Sequence, residues 1–387
     1  MISFDNTEIA FKYRNTNELK KAWWLFRMIG NNQFVKFSKP FAGIAASLAP
    51  TRFMIKQTIY AHFCGGETIR ECEKTIGALA NFNVGTILDY SVEGKESEED
   101  FDRTLDEIMD TQDRAVLDDH VPFCVFKLTG LARFGLLEKV SSGEPLTDSE
   151  KHEFDKVKQR VEKLCKKAVE TDRKIMLDAE DSWIQQVMDD LILDMMRKYN
   201  TEKPIVYNTF QMYRHDRLAL MKKWYEIASN EGFFVGVKVV RGAYMEKERK
   251  RAKELGYLDP IQPDKASSDR DYNAALEFIT THIDRFGLCA GTHNEQSSML
   301  LTKLMQEKNI PSNTAQIYFS QLLGMSDHIS FNLAHAGYNV AKYVPYGPVK
   351  EVLPYLIRRA EENTSVAGQT SRELDLLTRE VKRRKAR

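Results

Sequence analysis

The chain has 387 residues, of which 42% are apolar, enough to bury one barrel-sized core or two smaller ones. Its 56 basic and 56 acidic residues balance, so no overall charge calls for nucleic acid or an anionic surface. Five scattered cysteines without a CxxC pair argue for free thiols in a reducing compartment, read here as the cytoplasm, and against a zinc knuckle.

The start, MISFDNTEIAFKYRN, lacks the basic-then-apolar order of a secretion signal, and no later run approaches the roughly 18 apolar residues of a bilayer span. Amphipathic stretches such as NELKKAWWLFRMIG and GETIRECEKTIGALANF predict a helical arm over residues 1–80. From residue 81 short β-rich runs recur, each followed by a helical pattern: VGTILDYS, PFCVFKLTG, KIMLDAE, PIVYNTF, FFVGVKVVRGAY, LCAGTHN, AQIYFSQLLG and YNVAKYVPYG. Strands apolar on both faces and separated by helices imply a parallel sheet, and about eight of them suit an α/β (βα)8 TIM-like barrel over residues 81–366. A doubly wound sheet is the alternative. One crossover is lengthened by a helix that opens on a Thr147 and Glu150 capping box. Residues 367–387 form a basic tail in which Leu374, Leu377 and Val381 make an apolar stripe. That stripe suggests either a solvated tail or a peripheral contact with an anionic membrane.

Barrel active sites gather at the C-terminal ends of the strands. Strand two ends in Lys127, strand three in Asp178 and Glu180, and strand four leads to Gln211. Strand five carries Lys238, Arg241 and Tyr244, and strand six delivers Thr292, His293 and Asn294. Strand seven ends at Gln321, Leu322 and Leu323, and strand eight at Tyr343. The helix that follows bears Arg358 and Arg359 in YLIRRAEEN. Its apolar stripe is Val349, Val352, Leu353, Leu356, Ile357 and Ala360, which leaves Tyr355 and both arginines off the stripe; local spacing alone favours a solvated face for them.

There is no GxGxxG after a strand, no P-loop, no HExxH and no glycine-centred serine elbow. His293 lacks a second imidazole at metal-ligand spacing, so no metal is expected. What remains is a rim rich in cations (Lys127, Lys238, Arg241, Arg358, Arg359), which suits anionic groups attached to an apolar body. A Schiff-base aldolase using Lys127 and a non-catalytic carboxylate sensor stay open on these residues.

The strings VFKLTGL, MLDAEDS, VKVVRGAY, GTHN, LLGMSDH, YVPYGP and YLIRRAEEN stand in this order, and together they resemble the proline dehydrogenase family. The similarity runs from about residue 50 to 366, and AHFCGGETIRECEKTIGALANFNVGTILDYSVE looks like the mitochondrial branch. The resemblance implies a distorted (βα)8 barrel that binds FAD without a Rossmann domain and oxidises L-proline to 1-pyrroline-5-carboxylate by hydride transfer, with electrons passing to a quinone. It implies that Lys127, Arg358 and Arg359 hold the substrate carboxylate while Tyr244, Leu322, Tyr343 and Tyr355 pack around the ring. Lys127, Asp178 and Lys238 would form the catalytic set. Gln211, Lys238, Val240, Arg241, Gly242, Thr292, His293, Asn294 and Glu362 would contact FAD. With the basic C-terminal stripe, the cytoplasmic reading extends to a peripheral position at the inner membrane, and the balanced charge implies no nucleic-acid partner.

Overall fold

The computed structural model describes residues 2–29, 49–92, 95–365 and 369–386, with the backbone alone at 29, 49, 360–365, 369 and 370. Eight strands close into a barrel in sequence order: β1 (Val84–Tyr90), β2 (Phe123–Phe126), β3 (Lys174–Leu177), β4 (Val206–Gln211), β5 (Val235–Val240), β6 (Phe286–Gly291), β7 (Ile317–Leu322) and β8 (Val340–Tyr346). Each falls in one of the β-rich runs, and helices separate them. Both faces of these strands are covered, which is why the sequence shows no polar alternation: every residue of β4 and of β8 is buried. The closed ring leaves the doubly wound alternative without support.

Contacts divide the chain into two compact units, Met1–Val92 with Ser320–Arg387, and Glu93–Phe319. In the first, β1 and β8 pair in parallel from Val84↔Val340 to Tyr90↔Tyr346. The pairing corrects one expectation. Tyr343 does not end β8 but lies in its middle, because the ladder continues to Tyr346, whose ring packs on Tyr90 with centroids 5.4 Å apart.

Also in the first unit, helix Gln369–Lys385 packs against helix Thr16–Ile29. Leu376 and Leu377 join Ala10, Phe11, Leu19, Ala22 and Phe26 in one cluster, and Leu374 and Val381 pack at its edge. The stripe expected to be solvated or to meet lipid is thus covered by the N-terminal segment. Burial of two leucines stabilises by roughly 1.5–3 kcal/mol each, more than an exposed tail could gain in water. Among the described residues no helix is long and apolar enough to cross a membrane.

In the second unit the Thr147 and Glu150 capping box opens helix Asp148–Glu170 as its spacing predicts. Behind β4, Arg217 makes two bonds to Asp189, at 2.6 and 2.9 Å, and Asn208 donates to the same carboxylate at 2.8 Å. A buried guanidinium is tolerated when a two-pronged carboxylate pairs with it in this way.

Candidate active site

In the second unit the rim is built from strand ends and the residues just beyond them. Lys127 follows β2 directly in extended backbone and is half-buried. The turn after it is fixed by Glu180, whose carboxylate accepts from Thr129 N–H (3.2 Å) and Thr129 Oγ1 (2.5 Å). The Gln211 amide donates to the Glu180 carbonyl at 3.2 Å, tying the end of β4 to the same loop. Lys238, paired in register with Thr209 on β4, reaches over that strand to donate to Asp178. Both members of this ion pair are buried, at 8% and 9% exposure. Two opposite charges removed from water together hold each other in place.

Beyond β5 the backbone turns sharply. Gly242 has φ +136°, a conformation that side chains oppose, and a Cβ there would collide with the Tyr213 ring. Gly242 and Ala243 are exposed, so a flat group can lie directly on this backbone. The preceding Arg241 is locked by three bonds: to Asp269 (2.6 Å), Thr292 Oγ1 (2.8 Å) and Ser297 Oγ (3.0 Å). Its guanidinium carbon sits 4.4 Å from the Tyr272 ring centroid. Burial opposes the charge of Asp269, yet hydrogen bonds from Lys265 and Arg241 hold its carboxyl below the usual range. Thr292 Oγ1 also accepts from Asn294 N–H at 3.1 Å, while the Asn294 side chain caps helix Glu295–Glu307 through Ser297 N–H at 3.0 Å. Val240 ends β5, Tyr244 follows the turn half-buried, and His293 sits half-buried between Thr292 and Asn294.

These residues fit a phosphate-bearing flavin in chemical type. The cradle offers an exposed glycine backbone, a fixed cation in Arg241, a hydroxyl in Thr292 and a buried ion pair at Lys238.

In the first unit, Leu322 ends β7 half-buried and Tyr343 lies in β8 at 8% exposure. Helix Val349–Ser365 follows β8. Tyr355, expected off the apolar stripe, is buried with Val349, Val352 and Leu356 because Tyr60, Phe63 and Leu25 extend the apolar cluster over that side. Arg359, one turn later, is 7% exposed, with its guanidinium carbon 5.1 Å from the Tyr355 ring centroid. The solvated-face reading therefore fails for Arg359. Arg358, about 100° further round, is half-buried. The Glu362 side chain falls outside the described residues.

Sequence reasoning passed over Asp269, Tyr272 and Ser297, which hold Arg241. The trace of Asp269 and Tyr272 was a polar run, SSDRDYN, inside a helical segment, and Ser297 stood in the helix start after the GTHN string. It also passed over Asp327 and Lys342, although a lysine inside the otherwise apolar β8 run was a legible signal.

A profile described as proline dehydrogenase matches residues 72–372. The chain is 34% identical to "Proline dehydrogenase 1, mitochondrial" of Dictyostelium discoideum, covering 98% of this chain and 74% of that protein. It is 31% identical to "Hydroxyproline dehydrogenase" of Xenopus laevis, covering 97% and 89%. Among solved structures it is similar in fold to proline utilization A from Bdellovibrio bacteriovorus, with TM-score 0.76 and 19% identity, over 95% of this chain and 42% of that one. The chain thus spans about two fifths of that larger protein. With the profile matching most of the chain and relatives alike along nearly its whole length, this chain belongs to the proline dehydrogenase family.

Proposed function

We propose that the protein oxidises L-proline to 1-pyrroline-5-carboxylate with FAD as cofactor and a quinone as electron acceptor, as the first step of proline breakdown. Family membership supports the reaction class. The observation in the structure that carries the substrate reading is the Tyr355 and Arg359 pair: a buried guanidinium held 5.1 Å from an aromatic ring, one turn apart on one helix. Such a pair suits a small molecule with a carboxylate at one end and a ring at the other. A guanidinium matches a carboxylate in two parallel hydrogen bonds, and the phenyl face covers the apolar body.

In this reading Arg358, Arg359 and Lys127 hold the carboxylate, and Leu322, Tyr343, Tyr355 and Tyr244 enclose the ring and exclude water. Fixing the charged end determines which carbon lies opposite the cofactor. Lys238 and Asp178 shape the rim: the carboxylate aims the lysine side chain that it pairs with. Arg241, Thr292, His293, Asn294, Gln211, Val240, Glu362 and the Gly242 backbone hold the cofactor. FAD, when bound, supplies the two-electron acceptor for the ring hydride. A cytoplasmic position, with contact to a membrane that holds the quinone, completes the proposal.

The test is direct. Purified protein reconstituted with FAD is treated anaerobically with L-proline, and the yellow flavin colour should bleach and pyrroline carboxylate should form. Failure to take up FAD, or unbleached flavin at saturating proline, overturns the reading. Borohydride trapping of a Lys127 adduct with a carbonyl substrate instead would establish the aldolase alternative.

A further inference from the structure

The turn after β7, residues Leu322 to Ser326, is held in the first unit by buried titratable groups that no part of the proposed chemistry uses. Lys342 is wholly buried, and its Nζ meets three acceptors: Met325 O at 2.6 Å, Leu322 O at 3.4 Å and Asp327 Oδ1 at 2.9 Å. Two carbonyls thus accept from the ammonium, and the carboxylate balances its charge at ion-pair distance. The other Asp327 oxygen accepts from Tyr13 Oη at 2.6 Å and from Arg14 Nε and Nη2 at 3.3 and 3.2 Å. His62 Nε2 meets Gly324 O at 2.9 Å, Leu323 N–H donates to Tyr343 O at 2.9 Å, and Ser326 N–H donates to the Glu373 carboxylate. Gly324 and Ser326 both have positive φ, at +75° and +51°, and a Cβ on Gly324 would collide with the His62 carbonyl. A turn bent this tightly persists only when its surroundings over-determine it.

We infer that Lys342 is a positioning residue, which fixes the carbonyls of the β7 turn and so sets where Leu322 stands as a wall of the substrate site. The inference rests on the proposed proline site for the role of Leu322. Neighbouring residues on a strand point to opposite faces, so Tyr343 and Lys342 divide the labour. Tyr343 belongs to the proposed substrate pocket, and Lys342 supports the adjacent turn from behind. Arg14, from the N-terminal segment, and Glu373, from the C-terminal helix, complete the clamp. The two ends of the chain thereby act on the β7 turn without contacting substrate. An apolar residue at position 342 could fill the space but would take from Met325 O its ammonium donor, while Leu322 O would keep only the Met325 N–H at 3.2 Å.

The experiment compares the FAD-loaded full chain with Lys342→Met by hydrogen exchange of residues 320–328 and by steady-state kinetics. Because Lys342→Met can cost the fold, Glu373→Ala serves as a second variant that releases Ser326 N–H from the other side of the turn. In either folded variant the Leu323 and Ser326 amides should exchange at least about tenfold faster, as local opening is eased, while β5 amides stay unchanged. The KM for L-proline should rise about tenfold with a smaller change in kcat, and flavin content should hold. Unchanged exchange in both variants overturns the clamp. Faster exchange with KM unmoved shows that the cluster is structural only, and overturns the positioning role. A wild type that binds FAD yet does not oxidise proline overturns the site reading instead, and the role of Lys342 toward substrate falls with it.

Discussion

Replacing Arg359 by methionine removes a guanidinium while keeping an unbranched apolar stem beside Tyr355. The residue is 7% exposed, and its guanidinium carbon lies 5.1 Å from the Tyr355 ring centroid. A substrate carboxylate bound there would meet the cation with water excluded. Losing one partner of a buried, hydrogen-bonded charge pair costs about 2–5 kcal/mol. Turnover efficiency for L-proline should therefore fall by about 30-fold to several thousandfold. Arg358→Met, at a half-buried position, should fall nearer the lower end, because water can partly replace the lost donor. The assay is steady-state turnover with an artificial electron acceptor, alongside the flavin-to-protein ratio and thermal unfolding. Both variants should keep their flavin, since neither arginine belongs to the Gly242 and Arg241 cradle. An Arg359→Met enzyme within about threefold of wild-type efficiency would refute the carboxylate clamp and leave Arg359 a structural cation.

Tyr343 is 8% exposed, and its phenol should crowd a 4-hydroxyl on the substrate ring, so the wild type should prefer L-proline over trans-4-hydroxy-L-proline by at least about tenfold. Tyr343→Ser should narrow that ratio, and equal efficiencies in the wild type would refute the assignment. Gly242→Ala should lower flavin retention, because the added Cβ collides with Tyr213 at φ +136°; an unchanged flavin ratio would show that the cofactor does not lie on this turn. Leu377→Ala should cost about 2–5 kcal/mol in chemical denaturation, since Leu377 is 1% exposed in the terminal cluster, and a loss under 1 kcal/mol would show that the two terminal helices are not a joint core. Burial first, then the nearby Arg14 charge, pushes His62 down to about 3. The unfolded chain binds a proton on this histidine below about pH 6.5 and the folded chain does not, so the His62 contribution to stability is present above about 6.5. It is lost by about 1.4 kcal/mol per unit as pH falls toward 3. His62→Gln should flatten that slope relative to wild type, and parallel pH profiles would refute it.

The sequence by itself determined the periodic features of this protein. Runs apolar on both faces gave the eight strands, the Thr147 and Glu150 box gave the start of helix Asp148–Glu170, and strand order placed Lys127, Asp178 and Thr292 just past strand ends and Lys238 within β5. These are local properties: side-chain period, capping chemistry and neighbour order are written within a few residues. Burial of one helix face by a distant segment is not local. Tertiary structure alone put Tyr355 into the core, because Leu25, Tyr60 and Phe63, about 300 residues earlier, cover it. It alone turned the C-terminal stripe inward onto Phe11, Leu19 and Phe26. It alone fixed Arg241 in one orientation through Asp269, Thr292 and Ser297, which a count of cations at the rim does not reveal. A charged residue declares its type in the sequence, but its partner is chosen by the fold, and the partner decides where that charge is held.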